Sequence, residues 1–301
     1  MTARSLRFKK IDAFASESSS GNPAAVVYLD SLEELSDAEM LQIAKEFQGI
    51  VSEVGYVSPG KDTDYRLRYF SSEREVAFCG HATIAILNDL IANDESLQAK
   101  PGLSISTQND SLVVDNHYVK DKCVYISAPL PRFSVAVINK ADITDALGCQ
   151  VEMLHDLRPT QIVNAGLETL IVPMANLEAI LSVKPDLETL KVFCVDMGVD
   201  IAILYTDETA DRECRYRTRV FAPTFGYLED PATGSGNSAL GYYLLQHEMW
   251  DGKSIRIEQN GFRDKPNFVQ LLTKQTGEGN TQVWFGGGAV LKIDGQYFLS
   301  Q

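Results

Sequence analysis

The fold of this chain is decided by one weakly polar stretch, Cys79-Gly-His-Ala-Thr-Ile-Ala-Ile-Leu-Asn-Asp-Leu-Ile91. After the glycine, small and branched apolar residues cover almost the whole circumference of a predicted helix. A helix that is apolar on nearly every side is a buried helix. The flanking segments alternate between polar and apolar residues, which indicates β-strands. The stretch therefore predicts a central helix with strands packed around it.

A second stretch repeats this design, Asp230-Pro-Ala-Thr-Gly-Ser-Gly-Asn-Ser-Ala-Leu-Gly-Tyr-Tyr-Leu-Leu-Gln246. Each stretch follows a strand-like segment that begins with arginine, Arg68-Tyr-Phe in the first half and Arg219-Val-Phe in the second. We infer a divergent duplication of one β-rich unit wrapped around one helix. Two such units side by side predict a cleft between two helix N-termini. Backbone N–H groups there would bind a carboxylate and stabilise an enolate-like charge.

Length and composition agree with two globular units. The chain has 301 residues, of which 45% are apolar and 23% are charged, and domains usually contain about 100–200 residues. The Pro-containing segment 128–131 predicts a linker between the units. Further helices are predicted near 141–147 and 177–184, and Ser36 with Glu39 forms a capping-box pattern ahead of another helix.

Charge and cysteine usage exclude several classes of partner. The chain has 27 Lys and Arg against 41 Asp and Glu, a net charge of −14, and this acidic surface disfavours nucleic acids and anionic membranes. No apolar run approaches the roughly 18–20 residues of a membrane-spanning helix. The five cysteines contain no CxxC pair, so neither a zinc ribbon nor a disulfide framework is indicated. A reducing cytoplasm is the expected location.

Glu53 is the first candidate for chemistry. It lies in an otherwise apolar strand segment, Val51-Ser-Glu-Val-Gly-Tyr-Val57, where burial would raise the pKa of its carboxyl group toward the range of a general acid or base. Strict alternation along the strand favours a different interpretation, in which Glu53 points outward into water. The residues by themselves favour this solvated interpretation.

The two glycine-bearing loops supply the other candidates. Cys79 and His81 are two residues apart, and such residues do not face each other on a helix, so Cys79 is interpreted mainly as a small buried residue. His81, in the first helical turn, is expected to donate a hydrogen bond to a substrate. Asp230 is interpreted as either a turn residue or a substrate contact. The pattern Gly234-Ser-Gly-Asn-Ser-Ala239 resembles a dinucleotide loop but lacks a preceding apolar strand, so no dinucleotide is expected. Nothing in the sequence indicates a metal.

Taken together, these motifs resemble the PhzF family of phenazine-biosynthesis isomerases, and the resemblance covers essentially the whole chain. The motifs that carry it are Ile11-Asp-Ala-Phe, Gly21-Asn-Pro-Ala-Ala-Val, Ser52-Glu53, Glu75-Val-Ala-Phe-Cys-Gly-His-Ala-Thr83, Asn164-Ala-Gly-Leu-Glu-Thr-Leu, Phe221-Ala-Pro and Glu229-Asp-Pro-Ala-Thr-Gly-Ser235. The pair Gly236-Asn237 departs from the usual Ala-His of the family, which leaves the substrate open.

The resemblance implies an α+β fold of two similar diaminopimelate-epimerase-like domains. Each would be a curved, mostly antiparallel sheet wrapped around one central helix, with the active site between the domains. The expected N-terminal domain is 1–130, completed by a last strand at about 289–301, and the expected C-terminal domain is 131–288. The family also implies a homodimer, no cofactor and a small carboxylated metabolite as substrate.

The resemblance also assigns roles to residues. It implies that Glu53 is the general acid and base, against the solvated interpretation. The residues expected to hold the substrate are Asn22, Gly80, His81, Asp230, Gly234 and Ser235.

The related epimerases and racemases use two opposed cysteines. Here Cys79 occupies the first cysteine position and Thr233 the second. A threonine hydroxyl is too weak an acid for proton transfer at neutral pH, so one-base transfer through Glu53 is preferred. Two alternatives stay open, a Cys79-dependent amino-acid epimerase or racemase and a non-catalytic metabolite-binding protein of the same fold.

Overall fold

The computed structural model describes residues 4–16, 19–108 and 111–299. The chain divides into two compact units, here called unit 1 (Met1–Ile126 with Gly286–Gln301) and unit 2 (Ser127–Phe285). Part of the predicted turn at 15–20 and the last two residues lie outside the described ranges.

The first part of the chain, together with the last strand, supplies the elements of unit 1. Its strands are β1 (Arg4–Ala13), β2 (Asn22–Tyr28), β3 (Glu53–Pro59), β4 (Tyr65–Ser71), β5 (Glu75–Val76), β6 (Gly102–Ser106), β7 (Ser111–His117) and β8 (Cys123–Ser127). Its helices are α1 (Asp37–Glu46), α2 (Gly80–Ala92), α3 (Glu95–Gln98) and α4 (Tyr118–Asp121).

The elements of unit 2 follow. Its strands are β9 (Arg132–Phe133), β10 (Gln161–Asn164), β11 (Glu168–Pro173), β12 (Ile201–Thr206), β13 (Tyr216–Phe221), β14 (Glu229–Asp230), β15 (Ile255–Gln259), β16 (Asn267–Gln275) and β17 (Thr281–Gly287). Its helices are α5 (Lys140–Leu147), α6 (Leu177–Ser182), α7 (Leu187–Met197) and α8 (Gly234–Gln246). The last strand of the chain, β18 (Ala289–Leu299), pairs antiparallel with β1 of unit 1.

The two units repeat one pairing scheme, which confirms the duplication inferred from the sequence. In unit 1, β1 is antiparallel to β2, β2 parallel to β3, β3 antiparallel to β4, β4 parallel to β6 and β6 antiparallel to β7. In unit 2 the same sequence of pairings joins β10, β11, β12, β13, β15 and β16. Two-residue strands, β5 and β14, pair with β4 and β13 just ahead of each central helix.

The predicted central helices are α2 and α8, and each has 13 residues. Helix α2 packs against β1, β2, β3 and β18, and α8 packs against β10, β11, β12 and β16. The approach of α2 to β3 is close, because a Cβ atom on Gly55 would lie 2.7 Å from Cδ1 of Ile86. Each buried aliphatic side chain of these helices contributes about 1.5–3 kcal/mol to the free energy of unfolding.

One charged residue of α2 is buried, and its partners explain why that is tolerated. Asp89 accepts hydrogen bonds at 2.8 and 2.9 Å from Nζ of Lys9 on β1, and one at 2.6 Å from the hydroxyl of Tyr28 on β2. A carboxyl group can be buried at moderate cost when it is paired and hydrogen-bonded. These contacts fix α2 against two strands of unit 1.

Candidate functional site

Glu53 is the first residue of β3 in unit 1. It lies opposite Ala24 on the parallel strand β2 and opposite Ser71 on the antiparallel strand β4. Its side chain is 21% exposed, and Oε2 lies 3.4 Å from Nε2 of His81. The solvated interpretation of Glu53 is therefore wrong, because the strand begins at this residue and its carboxylate lies against the start of α2.

Cys79 and His81 contact each other directly. The Sγ atom of Cys79 lies 3.4 Å from Nδ1 of His81 and 3.8 Å from Oε2 of Glu53. The expectation that the two residues do not face each other is wrong. Cys79 is the N-cap of α2, with an extended backbone (φ −135°, ψ 107°), so the helical spacing rule does not apply to it.

The environment of His81 determines its charge. Burial lowers the pKa of the imidazole to about 4, and a hydrogen bond with the backbone of Pro23 opposes that shift. Proline has no N–H group, so the partner is the carbonyl oxygen of Pro23 and a ring N–H of His81 donates. The ring is neutral at pH 7, and its remaining nitrogen is a hydrogen-bond acceptor.

Asn22 and Gly80 belong to the same surroundings within unit 1. Asn22 is 2% exposed and starts β2, immediately before the proline that binds His81. Gly80 is the first helical residue of α2, so its N–H is among those that have no partner inside the helix. Unit 1 thus brings together Asn22, Glu53, Cys79, Gly80 and His81.

The loop before α8 has nearly the same backbone conformation as the loop before α2, but its side chains differ. Thr233 is the N-cap of α8 (φ −126°, ψ 109°), and Gly234 and Ser235 form its first turn. The Thr233 hydroxyl donates to the carboxylate of Asp230, which is 8% exposed. Unit 2 therefore brings Asp230, Gly234 and Ser235 together. The predicted cleft joining the two loops stays a prediction.

Two buried amides hold this second loop, Asn237 and Gln259, and the sequence analysis did not single out Gln259. Oε1 of Gln259 accepts from the Thr233 N–H at 3.0 Å and from Nδ2 of Asn237 at 2.6 Å, and its Nε2 donates to the Asp230 carbonyl at 2.9 Å. Both amides are fully buried. Asn237, which departs from the family pattern, thus helps to hold the loop before α8 in place. A glutamine at the end of an alternating strand segment, Ile255–Gln259, was the signal available for Gln259.

The position equivalent to Glu53 in unit 2 carries no acid. Arg68 on β4 lies opposite Tyr56, three residues beyond Glu53, and Arg219 on β13 lies opposite Leu204, three residues beyond Ile201. Matching the arginines therefore matches Glu53 with Ile201, which is 2% exposed. The duplication has kept a carboxylate at this position in unit 1 alone.

The comparisons with known proteins agree with this architecture. The sequence model of a family described as "Phenazine biosynthesis-like protein" matches residues 11–295. The chain belongs to this PhzF-type family, whose named members include isomerases.

Two curated relatives illustrate the range of the family. The chain is 31% identical to "Uncharacterized isomerase YfhB" of Bacillus subtilis over 93% of this chain and 94% of that protein. It is 27% identical to trans-2,3-dihydro-3-hydroxyanthranilate isomerase of Pseudomonas aeruginosa, over 97% and 99% of the two chains. The enzyme class expected from the sequence, an isomerase, is confirmed by these relatives.

Two solved structures confirm the fold class. A PhzF-family protein of Bacillus anthracis superposes with a TM-score of 0.87 at 24% identity, covering 98% of this chain and all of that one. A hydroxyproline epimerase of Agrobacterium vitis superposes with a TM-score of 0.62 at 10% identity, covering 99% and 94%. The α+β, epimerase-like fold implied by the motifs is therefore present. Among the described residues, no helix is both long and apolar enough to traverse a bilayer.

Proposed function

We propose that this isomerase moves a proton between two carbon atoms of a small carboxylated metabolite, with Glu53 as its single acid and base. The observation that carries the proposal is the placement of one half-buried carboxylate at the start of β3, 3.4 Å from His81, with Ile201 at the equivalent position of the duplicate. A single carboxylate suits a mechanism in which one group both removes and returns the proton.

The chemistry balances with the groups present. The Glu53 carboxylate removes a proton from a carbon atom, and the electron pair left behind is delocalised toward the substrate carboxylate. The protonated Glu53 then returns the proton to a second carbon of the same conjugated system. No oxidant, reductant or second base is required.

The proposal assigns substrate contacts to groups of both units, through the predicted cleft. Backbone N–H groups at the starts of α2 and α8, at Gly80 and Gly234, would stabilise the negative charge of the substrate. The positive ends of the helix dipoles lie at these helix starts. His81 is neutral and keeps its N–H on Pro23, so it would accept a hydrogen bond from a substrate hydroxyl or amino group. This replaces the donor role expected from the sequence. Asn22, Asp230 and Ser235 complete the proposed substrate contacts.

The substitution Glu53→Gln tests the acid–base role. The amide keeps the size of the side chain but cannot take the proton, so we expect turnover to fall by about 10²–10⁴-fold, while carboxylate ligands still bind. The measurement is the conversion of each compound in a panel of carboxylated compounds, including trans-2,3-dihydro-3-hydroxyanthranilate, into an isomer, followed by chromatography and mass spectrometry. The matched control is the exposed Glu95→Gln. Normal turnover by the Glu53→Gln variant would exclude the assignment.

The contact between Cys79 and His81 supports a second candidate, a thiol-dependent epimerase. The Sγ–Nδ1 distance of 3.4 Å would permit proton exchange between thiol and imidazole. Against it, Thr233 occupies the position of the opposing thiol. The substitution Cys79→Ser discriminates, because it leaves turnover within a few fold in the Glu53 scheme and abolishes it in the thiol scheme. Absence of isomerisation of every compound of the panel would favour a non-catalytic binding protein.

The family resemblance supports three further expectations. The protein would act as a homodimer, without a cofactor and in the cytoplasm. Sedimentation equilibrium on the purified chain tests the first, and turnover by protein that has been dialysed against a chelator tests the second.

A further inference from the structure

The side chains of Glu53, Cys79 and His81 offer one ligand atom each within 4.8 Å of one another. Taking Nε2 of His81, the Sγ–Nε2, Sγ–Oε2 and Nε2–Oε2 distances are 3.9, 3.8 and 3.4 Å. In a tetrahedral zinc site, bonds of about 2.3 Å to sulfur and about 2.0–2.1 Å to nitrogen or oxygen place sulfur about 3.5 Å from the other ligands and nitrogen about 3.3 Å from oxygen. The three atoms already form nearly that triangle.

The ligand types also suit zinc. Thiolate, imidazole and carboxylate are the ligands that this borderline-soft ion uses in proteins, and three protein ligands with one open position is the arrangement of an accessible site. A ligating histidine usually donates its second ring N–H to a backbone carbonyl, which fixes the tautomer and the ring orientation. A ring N–H of His81 is hydrogen-bonded to Pro23, and metal binding through Nε2 requires that this donor is Nδ1.

Access and long-range charge favour a cation. The side chains of His81 and Glu53 are 12% and 21% exposed, so the triangle can be reached from the solvent. The net charge of −14 raises the local concentration of cations around the chain. Cys79 is buried, with 7% exposure.

We propose that Glu53, Cys79 and His81 form a binding site for a zinc-like divalent cation, which switches the isomerase off by occupying its base. On binding, the thiol proton of Cys79 leaves to the solvent and the thiolate, Nε2 and a carboxylate oxygen coordinate the ion. Water fills the fourth position. The inhibitory part rests on the proposed function, because a coordinated Glu53 cannot take a proton from carbon.

Cobalt titration of the purified chain, after removal of metals with a chelator, tests the site without any substrate. A Co²⁺ ion bound by one thiolate gives a sulfur-to-cobalt charge-transfer band in the near ultraviolet and visible bands of tetrahedral intensity. We expect both bands with a 1:1 endpoint, and their loss when Zn²⁺ displaces Co²⁺. No bands at millimolar Co²⁺, or bands that survive Cys79→Ser, would overturn the site.

Substitutions distinguish the residues that bind the metal from those that do not. Cys79→Ser is expected to remove the charge-transfer band, and His81→Gln and Glu53→Gln each to weaken Co²⁺ binding at least tenfold while the band persists at saturation. The control is Cys149→Ser, at a half-buried cysteine of unit 2, which should leave the titration unchanged. Circular dichroism confirms that each variant is folded. If Cys79→Ser does not fold, undiminished affinity in the other two variants still refutes the site.

Turnover measurements then test the inhibition separately. We expect stoichiometric Zn²⁺ to reduce the rate of isomerisation at least tenfold and a chelator to restore it. Full turnover by the zinc-loaded chain would overturn the switch and leave the proposed function standing. If the chain turns over none of the panel, the proposed function fails, and the cobalt spectrum still decides the metal site.

Discussion

The loops that start α2 and α8 have nearly the same backbone and very different side chains. Their N-cap residues, Cys79 and Thr233, differ by 9° in φ and 2° in ψ, and neither makes a side-chain cap hydrogen bond. The first loop lies among ionisable, partly exposed groups, whereas the second is held by fully buried amides. Duplication preserved the backbone conformation of the loop, and divergence placed ionisable side chains at one copy and buried amides at the other.

A paired arginine shows what both copies retained. Arg68 donates to Glu75 from Nε and Nη2 at 2.7 Å each, and Arg219 donates to Glu229 from the same atoms at 3.0 and 2.8 Å. Each bidentate pair joins the strand before the loop to the short strand that leads into the helix. Such planar pairs fix geometry as well as charge, so both copies keep the same link between these two strands although the side chains of the loops differ.

The largest expected loss of stability follows from introducing a carboxylate into unit 2, at the position that corresponds to Glu53. Ile201→Glu would bury a carboxylate in the apolar interior of unit 2, so we expect the free energy of unfolding to fall by about 4 kcal/mol. The volume-conserving control Ile201→Leu should cost less than about 1.5 kcal/mol. Urea denaturation at pH 7.5 measures both. Equal stability of the two variants would mean that the Ile201 position admits water and that both copies tolerate a carboxylate there.

Removing the buried amide tests the rigidity of the second loop. Gln259→Leu would leave the Thr233 N–H, an N–H of Asn237 and the Asp230 carbonyl without their partner, and we expect a loss of about 3 kcal/mol in the free energy of unfolding. Matching the registers of β4–β6 and β13–β15 places Thr107 at the equivalent position of unit 1. Because Thr107 is half-buried, Thr107→Val should cost less than about 1 kcal/mol. Equal losses of unfolding free energy in the two variants would contradict the difference in rigidity between the two loops.

The smallest effect is a pH dependence confined to the first loop. The folded protein lowers the pKa of His81 from 6.5 to about 4, so the unfolded chain binds more protons between these values and stability falls as pH falls from 6.5 to 4. We expect wild type to lose about 1 kcal/mol at pH 5.5, and up to about 3 kcal/mol at pH 4, relative to His81→Gln. Urea denaturation in a chelating buffer at pH 7.5 and 5.5 measures the difference. A pH-independent difference would refute the buried, neutral imidazole.

Secondary structure was predictable where burial is reflected in local pattern. The apolar runs at 82–91 and 238–246 predicted α2 and α8, and the Ser36–Glu39 capping box is present at the start of α1. Helix α7 was missed although Asp186 caps its start and Gly198 ends it. Val192 and Val195 are 59% and 63% exposed, and these apolar residues on the solvent side obscured the helical period.

The candidate site was less predictable than the fold. Motif resemblance selected Glu53 and His81, but alternation along the strand gave the wrong exposure for Glu53, and the helical spacing rule gave the wrong relation between Cys79 and His81. Both rules assume that a residue lies inside a regular element. Glu53 begins its strand and Cys79 precedes its helix, and at such ends the chain direction is set by tertiary packing.

The sequence by itself determined that two apolar helices would each be enclosed by strands, because the burial of a helix depends on residues close together in the chain. Only the tertiary structure decided which side chains meet at the helix starts. Glu53 and Cys79 are 26 residues apart, and their contact depends on the register of β2, β3 and β4 and on how closely α2 approaches Gly55. Register and packing distance are properties of the assembled sheet, and no local pattern encodes them.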